Sequence, residues 1–362
     1  MVPKISVIMP LYNSSECLRE SIESVQKQSL SDWELLIIHE YGSDREGKEI
    51  VEAYGRTDDR IRLIQNTERL GLAESLNRGI RLAAGEYIAR MDADDLSHPQ
   101  RFQLEAAYLD RHPDTIVCGS WQRHFGEGVE MFHKPPAEPM QCKANLLFFC
   151  DLCHSTVMMR RKPIIENGLF YNSTFYAEDF ELWTRVLDFG EIANIPKVLG
   201  GYRLRTDSKT AASKAALQEE SGRIAAKTLE KNLGLVLSPA ERGVLCSWEN
   251  PILKIPGKSA RKKGFCELEG LLRRIYKENL KVQYYDNACL LRAIRAKWYW
   301  ARYCHPFNEM QDVASIDEIF LRHMELRPVQ RFCQFWRNTP GVAGKIKKIR
   351  RKLSSAVQKK EE

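Results

Sequence analysis

Asp92-Ala93-Asp94-Asp95 sets three carboxylates within four residues. Such a cluster repels itself unless something positive neutralises it. Hard carboxylate oxygens suit Mg²⁺ or Mn²⁺. A divalent ion held by few protein ligands keeps positions open for phosphate oxygens and, as a Lewis acid, steadies a departing diphosphate. The alternative is a polar helix cap ahead of Pro99. Glu178-Asp179 is a second acidic pair, at the start of a helical pattern. The helix dipole favours acids there in any protein, and a carboxylate that meets a hydroxyl is also a candidate general base. Tyr202-Arg203, followed by Arg205, brings two cations near a strand end. They face either a diphosphate or solvent. His154 precedes the strand-like Ser155-Thr156-Val157, and Trp183 lies on the inward face of the helix opened by Glu178. Both are candidates for the side of a site opposite the diphosphate, or simply structural.

These residues need a frame. Residues 5–9 form an apolar run ended by Pro10, and Leu18, Ile22 and Val25 follow on one helical face, with Ser14 or Ser15 as the cap. Apolar runs recur at 33–38, 61–64, 86–91 and 115–119. Between them lie a short helix near 48–54, a helix face of Leu72, Leu76, Ile80 and Ala83, and another of Phe102, Ala106 and Leu109 after Pro99. Strand and helix alternate, and the strands are apolar without alternation. This predicts the α/β class, with a mainly parallel sheet flanked by helices in a Rossmann-like manner. Ligands of such sheets sit beyond the carboxyl ends of the strands. That rule singles out Pro10-Leu11-Tyr12-Asn13, His39-Glu40-Tyr41 and Asp92-Ala93-Asp94-Asp95. It also favours the cation over the cap for the last of these. Residues 125–139 are rich in Gly and Pro and predict a long loop. A strand at 155–159, a helix at 178–189 and a strand at 192–199 follow. After about 210 the strand signals fade, and 211–231 and 281–303 predict helices.

The chain has 362 residues and a formal net charge of +7, concentrated toward its end. Between 341 and 360 stand Lys345, Lys347, Lys348, Arg350, Arg351, Lys352, Lys359 and Lys360 without an acid, and Ile346, Ile349 and Leu353 fall at helical spacing among them. Such a segment either lies on an anionic membrane surface or is a solvated tail; no nucleic-acid partner is expected. The ten cysteines are scattered, and Cys150-Asp151-Leu152-Cys153 is a CxxC without a second pair. This predicts reduced thiols and a cytoplasmic protein, peripheral on the inner face of the plasma membrane if the basic tail binds lipid. The first residues do not read as a secretory signal, and no run approaches the ~20 apolar residues of a membrane span. No GxGxxG follows a strand, which argues against a dinucleotide oxidoreductase. The absence of a Gly-rich basic loop at 11–16 argues against a nucleotidyltransferase.

Five segments together resemble glycosyltransferases of sequence family 2, which have the GT-A fold. They are Ile5 to Asn13 (ISVIMPLYN), Asn66 to Gly79 (NTERLGLAESLNRG), Gly85 to Asp95 (GEYIARMDADD), Cys153 to Met158 (CHSTVM) and Ala177 to Trp183 (AEDFELW), with Tyr202-Arg203 and Ser208 echoing a closing motif. The likeness spans roughly 1–210. It implies a transferase domain with a nucleotide-sugar half at 1–95 and an acceptor half at 96–210, followed by a helical region at 211–340 and a basic tail at 341–362. It also implies a nucleotide-sugar donor, most often a UDP-sugar, and inversion at the anomeric carbon. The acceptor would be a glycan or lipid-linked hydroxyl in bacterial-type surface polysaccharide assembly. By position, Pro10 and Tyr12 would line the nucleoside pocket and Glu40 would meet the base. Asp92 and Asp94 match the DxD pair for ribose and the Mn²⁺- or Mg²⁺-bound diphosphate, beside Arg203 and Arg205. Asp179 matches the general base, with Glu178 assisting. Two departures stand out. His39-Glu40-Tyr41 replaces the usual two aspartates and glycine, and Arg205 stands where many relatives carry a histidine that in some ligates the metal. They are the only support for a degenerate, non-catalytic sugar-binding relative, which Asp92, Asp94 and Asp179 oppose.

Overall fold

A computed structural model describes residues 2–126, 128–205, 214–245, 252 and 256–303. The basic segment 341–362, Ser208 and residues 304–340 of the region expected to be helical lie outside the described residues. The chain divides into two compact units, Met1–Glu220 and Ser221–Glu362.

The first unit opens with β1 (Ile5–Leu11), α1 (Ser15–Gln26), β2 (Trp33–His39), α2 (Arg45–Gly55), β3 (Ile61–Gln65), α3 (Gly71–Leu82) and β4 (Tyr87–Arg90). Strands β3-β2-β1-β4 pair in parallel, with Val7 beside Leu35 on one flank and Ala89 on the other. The inner strands β1, β2 and β4 are buried almost throughout because helices cover both faces: Leu18, Ile22 and Val25 of α1 join Ile5, Val7, Leu35 and Ile37 in one core. Burying each such side chain stabilises the fold by roughly 1.5–3 kcal/mol. On the other face α3 lies close to β1. A Cβ at Gly79 would come within 2.5 Å of Ile8, so only glycine permits this approach.

Beyond β4 the sheet is mixed. β5 (Leu96–Ser97), α4 (Arg101–Arg111), β6 (Thr115–Gly126), β7 (Val129–His133) and α5 (Pro139–Asn145) come next. Then follow a 3₁₀ turn at His154–Thr156, β8 (Met158–Arg160), α6 (Arg161–Glu166), α7 (Glu178–Val186) and β9 (Glu191–Arg203). β8 runs antiparallel between β4 and β6, whereas β6 and β9 are parallel. The reversal has a local cause: the chain enters β8 from the 3₁₀ turn, already at the end of the sheet where β4 finishes. β9 in turn pairs antiparallel with β5. The long loop expected over 125–139 is instead partly a hairpin. β6 continues to Gly126 and folds back into β7, and Gly126 and Gly128 take φ of +109° and +73° in its turn. The glycines that suggested a loop are those the hairpin turn requires.

In the second unit α8 (Lys214–Leu233), which begins before the break, is followed by α9 (Pro239–Val244), α10 (Lys258–Val282) and α11 (Asn287–Tyr303). The helix expected over 281–303 is thus two helices with a turn. Gln283 adopts a left-handed φ of +57°, and Asn279 closes the turn by exchanging hydrogen bonds with the Tyr285 backbone, both at 2.9 Å. Among the described residues no helix is long and apolar enough to cross a membrane.

Candidate active site

The acidic turn follows β4, at the carboxyl end of the sheet. Arg90 is buried, and its guanidinium donates to Asp92. Burial works against the Arg90 charge, but Asp92 together with Tyr171 and Asp95 outweighs it and the net shift is upward. Arg101, at the start of α4, is 1% exposed; it pairs with Glu105 at 3.0 Å and donates to the carbonyls of Arg90 and Val157. Ser21 of α1 donates to the carbonyls of Ala93 and Asp95, both at 2.8 Å. Asp95 is wholly buried and accepts the Arg203 backbone N–H at 2.9 Å. Burial, then Asp92 and Asp94, push its carboxyl well up. The Asp94 carboxyl is also raised, chiefly by burial and then by Asp92, while Arg205 draws it back. Arg203 itself braces the turn, donating to the Asp94 carbonyl at 2.9 Å and to Glu20 at 2.7 Å. Four elements therefore hold the turn with its acids crowded together. Among the described residues no group of three or more metal-type side chains converges.

The ends of β1 and β2 lie beside it in the sheet. Pro10 sits opposite Ile38, and Tyr12 just beyond β1 is 44% exposed. The Arg69 guanidinium lies 5.3 Å from the Tyr12 ring centre and donates to its hydroxyl at 3.3 Å. Glu40 is buried, and both of its oxygens are engaged. One accepts from the backbone N–H groups of Tyr41 at 2.8 Å and Leu70 at 3.0 Å; the other accepts from Gly71 N–H at 2.6 Å and Ser75 at 3.2 Å. Burial pushes this carboxyl up, but the amides of Leu70, Tyr41 and Gly71 outweigh it and the net shift is downward. The reason lies in α3. Its cap position is Leu70, whose side chain has no acceptor, so Glu40 supplies the missing oxygens from another element.

The second acidic pair opens α7. Glu178 is buried, while Asp179 accepts the Phe180 N–H at 2.7 Å on Oδ1 and the Cys150 thiol at 3.6 Å on Oδ2. Glu220 of α8 accepts the N–H groups of Tyr176 and Ala177, at 2.6 and 2.9 Å, and so fixes the chain entering α7. His154 bonds the Tyr171 hydroxyl at 2.8 Å, and the Trp183 ring lies edge-on to it at 6.0 Å. Trp183 is fully buried, so it can act only through the neighbours it packs against, among them His154 and Tyr171. The structure thus gathers Pro10, Tyr12 and Glu40 on neighbouring strand ends. It joins Asp92, Asp94, Arg203 and Arg205 in one charged group, and places His154 and Trp183 together. Sequence reasoning missed Arg90, Arg69, Tyr171 and Glu220, and gave Cys150 no role at the site. Arg90 flanks the acidic motif and could have been drawn in with it; Cys150 and Glu220 reach their partners only through the tertiary fold.

Residues 6–174 match the family model described as glycosyl transferase family 2. Over 213 residues the chain is 35% identical to the putative glycosyltransferase EpsE of Bacillus subtilis, which spans 57% of this chain and 74% of that protein. Over 206 residues it is 27% identical to an Escherichia coli protein named UDP-Glc:alpha-D-GlcNAc-diphosphoundecaprenol beta-1,3-glucosyltransferase WfgD, spanning 56% and 78%. Among solved structures, S. aureus TarS 1-349 in complex with UDP-GlcNAc superposes with a TM-score of 0.57 at 18% identity, over 83% of this chain and 91% of that one. The chain belongs to glycosyl transferase family 2. It is a glycosyltransferase with the GT-A fold, as its sequence motifs imply.

Proposed function

We propose that the protein transfers a sugar, with inversion, from a UDP-sugar to a hydroxyl of a glycan or lipid-linked acceptor in surface polysaccharide assembly. The observation that carries this reading is the braced acidic turn, where burial and mutual repulsion raise Asp94 and Asp95. Fixed, crowded carboxylates suit a site completed by a cation. The hard oxygens of Asp92 and Asp94 would hold Mg²⁺ or Mn²⁺ and leave its remaining positions to the donor. A bound ion there supplies Lewis-acid stabilisation of the departing diphosphate. Arg205, already acting on Asp94, adds positive charge beside the phosphates. Tyr12, backed by Arg69, offers the nucleoside a ring face. Asp179 takes the proton of the acceptor hydroxyl as its oxygen bonds to the anomeric carbon and the bond to the diphosphate breaks. Glu178 orients that base, and His154 lines the acceptor side. Glu40 organises the loop before α3, so base recognition by this chain does not follow the usual aspartate pattern.

The donor and acceptor in the name of the E. coli relative WfgD support a UDP-sugar donor and a diphospholipid acceptor. On this reading the segment 1–210 performs transfer. The segment 341–362 would keep the enzyme at an anionic inner leaflet, each cation contributing about 1 kcal/mol near the surface. Flotation of the full chain with anionic liposomes at low salt checks the latter, and its absence there refutes it. The direct test of transfer is acceptor-dependent release of UDP from a panel of UDP-sugars. Release should require a divalent ion; undiminished transfer in excess chelator would sink the metal assignment.

A further inference from the structure

The CxxC at 150–153 resolves into two thiols with separate duties. Cys153 is buried against His133 Nδ1 at 3.2 Å, and both cysteines are free. Cys150 reaches instead to Asp179 Oδ2 at 3.6 Å. We infer that Cys150 is a positioning residue for Asp179, its S–H holding one carboxylate oxygen while the Phe180 N–H holds the other. This rests on Asp179 being the general base.

Two donors on opposite oxygens fix the rotation of the carboxylate plane, which neither does alone. Each carboxylate oxygen has a second lone pair, so the group can still accept a proton from a hydroxyl. The donor must stay protonated to act in this way. Burial, then the negative charges of Asp179 and Asp151, push the Cys150 thiol well up, so it remains S–H at neutral pH rather than becoming a nucleophile. Its neighbour is anchored too: Asn145 of α5 donates to Asp151 at 2.6 Å. A thiol is a weak donor. It can orient a base while withdrawing less of its basicity than a hydroxyl or an amide would. Among the described residues, the ionisable groups facing this pair include Glu178 beside Asp179 on α7, Asp151 beside Cys150, and Tyr171, on which Asp179, Glu178, Asp92 and Arg90 all act. None of them changes in the variants below, so a shift between variants reports the thiol.

The test compares kcat, donor KM and the acid limb of the kcat–pH profile in the metal-supplied enzyme and in Cys150→Ala, Cys150→Ser and Asp179→Asn. Loss of one hydrogen bond to a charged group should lower kcat of Cys150→Ala about tenfold, with donor KM unchanged and the acid limb moved to higher pH. Cys150→Ser should restore kcat to within a few-fold of the parent, with the acid limb below the parent's position because a hydroxyl is the stronger donor. Parent-like kcat and pH profile in Cys150→Ala, alongside an inactive Asp179→Asn, would overturn the positioning role and leave the base assignment standing. An active Asp179→Asn would overturn the base assignment, and the role of Cys150 with it. Should Cys150→Ala not fold, Cys150→Ser decides alone: a limb shifted to lower pH supports the inference, and an unshifted one refutes it.

Discussion

The two acidic sites of the first unit are held by different means. The turn at Asp92–Asp95 is clamped by charged and backbone contacts: Arg90, Ser21, and both the side chain and backbone of Arg203. The pair Glu178–Asp179 is held by neutral contacts, among them a thiol and the amide of its own helix, with Glu220 acting on the residues before it. A group that must receive a doubly charged ion and a diphosphate gains from rigid, pre-paired surroundings, because nothing need reorganise when charge arrives. A group that must gain and lose a proton is better served by contacts that orient it without fixing its charge. The contrast therefore follows the chemistry proposed for each end.

Breaking either end should give the largest effects, and effects of different kinds. Asp94→Asn removes one of two carboxylates offered to the cation. It should abolish transfer yet leave the fold intact, because the raised Asp94 carboxyl already destabilises its own charge. Thermal melting and UDP release together check this; an active Asp94→Asn would sink the donor-site assignment. Asp179→Asn should lower kcat on the order of 10²–10⁴, typical of a lost general base, with donor affinity nearly unchanged by calorimetry. A comparable loss of donor affinity would erase the distinction between the two ends.

The same contrast explains what the sequence revealed. The donor end was legible because its parts are local: strands end in motifs, and the acids of residues 92–95 adjoin each other. The α/β class and the elements through 111 other than the two-residue β5 follow from apolar periodicity, with shifts of a few residues at their ends. The sheet beyond β4 was less legible. β8 has three residues, too few for any period, and its direction depends on the turn that feeds it. The hairpin at 115–133 was obscured by its own turn glycines. The role of Glu40 was hidden for a third reason. Its position at a strand end pointed to a ligand, but the cap that α3 lacks lies thirty residues away in sequence. Glu40→Gln tests this. It sets an amide N–H₂ against the donors on one of the two oxygens, whether that of Leu70 or that of Gly71, and should cost about 1–3 kcal/mol of stability. It should raise donor KM more than it lowers kcat, as the loop bearing Arg69 loosens. A variant as stable as the parent would refute the capping role.

The smallest effect sharpens the comparison through pH. Behind Tyr202 on the hairpin, His124 and His133 lie 6.1 Å apart, and burial pulls them down from the ordinary 6.5 to about 4 and about 3. In the unfolded chain both would take up protons near 6.5. The folded state binds fewer protons in that window, so the stability tied to their neutrality is complete above pH 6.5 and is lost as pH falls toward 4. Asp151 acts in the opposite sense. Burial raises it to about 6, so the folded state holds its proton and gains stability as pH falls through that value. A difference measurement separates the two. Between pH 7.5 and 5.0 a single such histidine accounts for about 2 kcal/mol of acid destabilisation. His133→Gln removes that term whatever its effect at neutral pH. Its melting temperature should therefore fall less than the parent's across this range, while Asp151→Asn should make the fall steeper. If the fall is the same in His133→Gln and the parent, His133 is not held neutral by the fold. The acceptor half would then be no more responsive to acid than the donor half.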